Sequence, residues 1–293
     1  MPIPAVAPWL LAAYISAETL SLTAEPLVIR DRRLPREFDG FRIAFAADLH
    51  HGPMCGIHRI ERMIKKIVAF EPDVVIFGGD FLQALLSPQK REQYLQSLAK
   101  ALSKLHPPNG IYGVLGNHDY GRERSRMNRL ILRRMGHRFE TGMEYKNHLM
   151  MVLREVAGMD CLDNRGVWIE RGAARIRLGG VGDLWFGQQD LVAAKGEAGE
   201  QDFFLLMSHQ PNYFDQITPE DNVALVLAGH THGGQLTGFN YLPVEGGFKW
   251  RYRAGLVKEK QGRMLVSSGV GNEVPYVRFF APPKIHLLTL KTR

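Results

Sequence analysis

The chain reads as an α/β protein: two sheets, flanked by helices, sharing one core. Three observations carry that reading. The first half alternates strand-like and helix-like runs, the second half is a series of short strands, and no linker, repeat or low-complexity tract separates them. At 293 residues, 45% hydrophobic and 23% charged, the chain has the composition of an ordinary globular protein and enough apolar mass for a sizeable core.

The elements follow in order. Phe41 to Ala47, apolar but for Arg42, reads as a buried strand ending at Asp48. Ile57, Ile60, Ile64, Ile67 and Val68 then repeat at helical spacing. Asp73 to Phe77 is the second strand. A helix through Tyr94, Leu95, Leu98, Leu102 and Leu105 follows, stopped by Pro107-Pro108, and Ile111 to Leu115 is the third strand. Leu149, Val152, Leu153 and Val156 mark a further helix. The remaining strands are Val167 to Glu170, Arg175 to Val181, Phe203 to Met207, Val223 to Ala228, Met264 to Ser267 and Ile285 to Leu290.

Five polar motifs each follow one of these apolar runs: Asp48-Leu49-His50, Gly79-Asp80, Gly116-Asn117-His118-Asp119, Ser208-His209 and Gly229-His230-Thr231-His232. Strand C-terminal ends are where open α/β sheets place their ligands. Each motif alone is weak, since Asp-x-His or Gly-Asn-His-Asp can be a turn with a surface histidine. Together they supply carboxylates, imidazoles and an amide, the donor set for two divalent cations. Such a pair polarises a phosphoryl group and generates hydroxide at neutral pH. Asp80, after two glycines, suits a carboxylate shared by both ions. Asp48 and His50, two apart, point to one side of an extended segment, as do His230 and His232. His118 is left to donate a proton to a leaving oxygen, with Asp119 placed to orient it. The sequence contains neither a GxxxxGK[ST] phosphate loop nor a GxSxG elbow.

Charge and termini add context. The net charge is +7, and eight basic residues against three acids between Gly121 and Lys146 account for +5 of it. A basic excess of this kind attracts phosphates or anionic lipid surfaces. Arg122, Arg126 and Arg129 within it are the candidate substrate contacts. Residues 1–36 form an apolar lead-in and candidate membrane anchor, before a domain of residues 37–293 with a basic insertion at about 120–146. The run Ile3 to Leu22 approaches the roughly 20 residues that span a bilayer, but Pro2, Pro4, Pro8 and Glu18 interrupt it, so a soluble or membrane-lying segment is favoured over a span. If the run does insert, the arginines that follow would keep the rest of the chain on the cytoplasmic side, so the expected location is cytoplasmic, with the inner face of the cell membrane as the candidate contact. Cys55 and Cys161 have no framework spacing, and Cys55 is expected to be a buried thiol. Trp185, Phe186, Tyr241, Trp250 and Tyr252 are candidates for either a cleft or the core.

The ordered motifs resemble the calcineurin-like metallophosphoesterase superfamily over roughly Phe41 to Leu290. The likeness is greatest to the bacterial YaeI/YkuE-like phosphodiesterase branch, through Phe38-Asp39-Gly40-Phe41, the extended Gly-His-Thr-His-Gly-Gly-Gln at 229–235, and the ending Ser-Gly-Val-Gly then Pro-Pro-Lys-Ile-His-Leu-Leu-Thr-Leu. The resemblance implies a four-layer α/β/β/α sandwich of two mixed sheets. It implies Asp48, His50 and His232 on one metal, Asn117, His209 and His230 on the other, Asp80 bridging, and His118 as a catalytic non-ligand. Manganese is the expected metal, with iron or zinc as alternatives. Two features depart from the branch: the long arginine-rich stretch after Asp119, and basic residues that follow the apolar N-terminal run instead of preceding it.

The expected function is hydrolysis of phosphodiester or pyrophosphate bonds by a metal-bound hydroxide. The alternative specific role is UDP-2,3-diacylglucosamine pyrophosphatase of lipid A biosynthesis, acting on a nucleotide-linked lipid at a membrane surface. A nuclease is less favoured, because the basic run lacks the interleaved aromatics that stack unpaired bases. A non-catalytic scaffold predicts missing ligands, and none is missing.

Overall fold

In a computed structural model, which describes residues 8–83, 86–121, 142–237 and 250–293, two six-stranded mixed sheets stack face to face. The first has the order β1 (Thr23–Asp31), β12 (Lys284–Thr292), β2 (Arg42–Ala46), β3 (Val74–Phe77), β4 (Ile111–Gly113), β5 (Met159–Cys161). The second runs β10 (Gly255–Glu259), β11 (Gly262–Val266), β9 (Val223–Ala228), β8 (Phe204–Met207), β7 (Ala174–Gly180), β6 (Arg165–Arg171). Within the first sheet β2, β3, β4 and β5 are parallel while β12 pairs antiparallel with β2; in the second, β11, β9, β8 and β7 are parallel and β10 and β6 are antiparallel edges. The expected fold class is therefore what forms.

Side-chain alternation along β2 shows how the layers are built. Ile43 and Phe45 join the apolar layer between the sheets, with Leu178, Leu205, Leu225 and Leu227 opposite. Ala44 and Ala46 face outward and pack beneath α2 (Ile57–Phe70), α3 (Pro88–Leu102) and α4 (Gly142–Ala157). α2 turns Ile60, Met63, Ile64 and Ile67 inward. Val68 instead lies exposed, because a residue adjacent to an inward-facing Ile67 sits about 100° around the helix. The outer face of the second sheet is covered by α5 (Leu191–Lys195) and by turns carrying Tyr213, Phe214 and Tyr252.

The N-terminal region departs from the expected lead-in. β1 pairs with β12 along its whole length, so the sheet includes residues 23–31. Ahead of it α1 (Pro8–Leu20) is 13 residues long, about 20 Å, shorter than a roughly 30 Å hydrocarbon core. No helix among the described residues is long and apolar enough to cross a membrane. Glu18 in α1 accepts the backbone N–H groups of Phe280 (3.1 Å) and Ala281 (2.5 Å), which ties the helix to the loop after β11.

Candidate metal centre

The strand order brings all five motifs to one edge of the sandwich. Asp48 and His50 follow β2, Asp80 follows β3, Asn117 and His118 follow β4, His209 follows β8, and His230 and His232 follow β9. Two sheets thus deliver side chains to a single point between them. The price is local strain: Asp48, His50, Asp80, His230 and His232 all have positive φ, between 41° and 72°. Each such residue costs about 1–3 kcal/mol, and clusters of this kind mark functional sites. Gly79, at φ 91°, cannot be replaced, since a Cβ there would lie 2.5 Å from the Gly116 backbone nitrogen and 2.8 Å from the His209 ring.

The carboxylates hold these loops together. Asp80 Oδ1 accepts the His118 backbone N–H at 2.9 Å, and Asp48 Oδ1 accepts that of His230 at 2.8 Å. Each has its second oxygen left over. Asp80 Oδ2 lies 3.1 Å from His209 Nε2, 3.6 Å from His50 Nε2 and 3.8 Å from His118 Nε2, facing both sides of the centre. His50 Nε2 and His232 Nε2 are 3.1 Å apart, close to the spacing of two nitrogens bound to one ion at about 2.0–2.1 Å. Among the described residues three groups of potential donors result, Asp48 with His50 and His232, Asp80 with His209 and His230, and His50 with His118 and Glu273, each with its donor atoms within 4.8 Å of one another. Asp48 Oδ2 and Asn117 Oδ1 are buried with no hydrogen-bond partner among the described residues, the condition a cation would relieve.

Burial sets the protonation. It pushes His50 down to about 3 and lowers His230 and His232 well below the usual imidazole range, so their lone pairs are available; a ligating imidazole must be neutral. Burial, and then the charge of Asp80, raises Asp48 to about 7. Against burial, His209 and His118 hold the Asp80 carboxyl low, while Asp80 in turn raises His209 to about 10.

Asp119 takes a different place from the one expected. Its carboxylate accepts the backbone N–H groups of Asp80 (2.7 Å), Phe81 (2.9 Å) and Gly116 (2.8 Å), so its hydrogen bonds fix the loop carrying Asp80, not the His118 ring. Arg122, Arg126 and Arg129, the basic insertion and Tyr241 lie outside the described residues. Trp185 does reach the centre, its ring 4.7 Å edge-on from His230. Phe186 packs near Tyr120, and Tyr252 is a buried core residue. Cys55 is a buried thiol pushed up to about 11. His51, next to His50, is occupied elsewhere, its Nδ1 2.9 Å from the Cys55 carbonyl.

Two neighbours of the centre carried no sequence signal. Glu273, in the loop after β11, places Oε1 3.2 Å from His50 Nδ1 and 3.9 Å from His118 Nε2. Arg278, fully buried, donates to Asn272 Oδ1 (2.7 Å) and to the carbonyls of Gly271 (2.5 Å), His232 (3.1 Å) and Ala281 (2.8 Å). Neither belongs to a metal-ligand spacing, and only the folded loop brings them to the motifs.

This arrangement can now be set beside known proteins. The model of the calcineurin-like phosphoesterase family matches residues 41–234. An uncharacterised metallophosphoesterase of Aquifex aeolicus (strain VF5) is 30% identical over 288 residues, covering 96% of this chain and 97% of that protein. The phosphodiesterase YaeI of Escherichia coli (strain K12) is 28% identical, covering 85% and 82%. The metallophosphoesterase YkuE of Bacillus subtilis (strain 168) is 25% identical, covering 96% and 89%. The chain belongs to the calcineurin-like phosphoesterase family and is a metallophosphoesterase.

Proposed function

We propose that the chain is a dinuclear metal-dependent phosphohydrolase acting on phosphodiester or pyrophosphate bonds. The observation that carries this reading is Asp80 Oδ2, which faces His209 on one side and His50 on the other, between two groups of donors. In this reading Asp48, His50 and His232 hold one ion, Asn117, His209 and His230 the other, and Asp80 both. The ions, manganese in the first instance, would supply Lewis acidity and a hydroxide nucleophile at neutral pH. His118, less buried than its neighbours and 3.8 Å from Asp80 Oδ2, donates the proton that the departing oxygen needs. Asp119 keeps Asp80 in register through the three amides it accepts.

A lipid-bearing substrate such as UDP-2,3-diacylglucosamine is favoured by one further observation. The loop from Glu273 beside His50 continues through exposed Val274 to exposed Phe280, whose ring is 5.5 Å from that of Tyr14 on α1. Trp9, Leu10 and Leu20 of the same helix are also exposed. An apolar ledge with Trp and Tyr on it suits a bilayer interface.

The test is a panel of phosphomonoesters, diesters and UDP-2,3-diacylglucosamine, run with metal content measured on the same preparation. Two metals per chain and diester or pyrophosphate turnover are expected, with activity falling by about 10³-fold or more in Asp80→Asn at unchanged folding. Full activity in Asp80→Asn would overturn the dinuclear reading. Turnover of soluble diesters with UDP-2,3-diacylglucosamine left intact would remove the lipid substrate alone.

A further inference from the structure

A polar cavity lies at the end of the strands opposite the metal centre. Its volume is about 810 Å³, and it is lined by the end of β1, the start of β9, the β10–β11 hairpin and Arg293. Since β9 carries the metal loop at its other end, its six residues place the two sites about 20 Å apart. Seven of the lining side chains are Arg or Lys and two are carboxylates, Asp31 and Glu200.

The floor is rigid. Arg33 and Arg263 share the single carboxylate of Asp31: Arg33 Nε and Nη2 each lie 3.1 Å from its oxygens, and Arg263 Nη2 lies 2.5 Å from Oδ2. Their remaining nitrogens donate to backbone carbonyls, Arg33 to Asn222 at 2.8 Å and Arg263 to Arg30 at 2.7 Å. Two guanidinium groups on one carboxylate leave the floor with a net positive charge. The rim is different. Arg32, Lys258 and Lys260 are exposed, and their side chains make no hydrogen bond or ion pair among the described residues. Cations from separate chain segments therefore converge on one concavity without enough carboxylate to balance them, an arrangement that concentrates an anion.

We propose that this cavity is an anion site, distinct from the metal centre, that takes a multiply charged phosphate group of the di- or triphosphate kind. Guanidinium forks and ammonium groups match phosphate oxygens in geometry and charge. Seven cations against two acids call for more than one negative charge, and the volume falls in the range of small-ligand sites. The phosphate can come from a free solute or from an anionic lipid headgroup.

Isothermal titration of the metal-loaded full chain with methylenebisphosphonate, whose P–C–P bridge resists hydrolysis, tests this. Two classes of site are expected. In the triple variant Arg32→Ala, Lys258→Ala, Lys260→Ala, one class weakens tenfold or more while phosphodiester hydrolysis is unchanged. Asp80→Asn should affect the other class. An unchanged isotherm in the triple variant, or a single class abolished by Asp80→Asn, overturns the proposal. Co-sedimentation with vesicles of cardiolipin, whose headgroup carries two phosphates, and of phosphatidylcholine separates the sources. Capture by the anionic vesicles alone, lost in the triple variant, assigns a lipid phosphate; equal behaviour towards both vesicles, with bisphosphonate binding kept, assigns a free one.

Discussion

Two regions meet at the metal centre and are built on different physics. The strand-end motifs present lone pairs: carboxylate oxygens, imidazole nitrogens and the Asn117 amide, each on a short strained turn after a buried strand. The loop after β11 contributes Arg278, a cation that satisfies backbone carbonyls, and Glu273, a carboxylate aimed at the far nitrogen of His50. In the proposed reading the first region would hold the ions and the second would fix where their ligands stand. A motif residue should therefore be replaceable only with loss of chemistry or metal, and a supporting residue with graded loss.

His118 gives the largest effect that leaves the proposed ligand set untouched. His118→Asn should lower kcat by about 10²–10⁴-fold with two metals still bound. The loss should shrink for a nitrophenyl diester, whose leaving group needs no proton. His232→Asn, by contrast, should lose metal. Elemental analysis beside kcat for both variants decides it: if His118→Asn sheds an ion, His118 is a ligand and the two roles have been exchanged.

The difference between the regions also explains what the sequence disclosed. Ligand chemistry demands particular residue types at short spacing, so Asp48-x-His50 and His230-x-His232 stand out in a linear reading. The parallel strands of the first half stand out for a related reason: β3, and β2 beyond Arg42, are apolar runs buried on both faces. β1 escaped notice because it is an edge strand carrying Pro26 and the charges Glu25, Arg30 and Asp31, with only Ile29 and Asp31 buried. β5 is only three residues long. Glu273 and Arg278 escaped because hydrogen bonding to carbonyls, or facing a ring nitrogen, imposes no spacing on the chain. Asp119 was visible as a residue but not as a clamp, since its partners are backbone amides.

Glu273 sharpens the comparison at intermediate size. A carboxylate 3.2 Å from Nδ1 favours the tautomer protonated there, leaving His50 Nε2 as the lone pair facing Asp80 and His232. Glu273→Gln should weaken metal affinity by about 10–100-fold, with kcat at saturating metal much less affected. Titration of the stripped variant with manganese measures it. Unchanged affinity with a lowered kcat would instead put Glu273 on the substrate side, through its 3.9 Å approach to His118.

The smallest effect concerns a histidine in neither region. His286 on β12 is buried, lies against the Phe45 ring at 6.2 Å, and has neither ring nitrogen hydrogen-bonded among the described residues. Burial pushes it down to about 4, with Glu25 opposing. Its unfolded value is about 6.5, so between these limits the unfolded chain binds the extra proton and stability falls as pH falls. At pH 5 the linkage amounts to about 2 kcal/mol relative to pH 8. His286→Phe removes that share and sacrifices no hydrogen bond. Urea unfolding at pH 8 and pH 5 should therefore show the variant losing less stability on acidification by about that amount. Equal losses in the two proteins would mean that His286 is already protonated when folded, held by Glu25 at 3.7 Å, and that acid sensitivity resides in other groups.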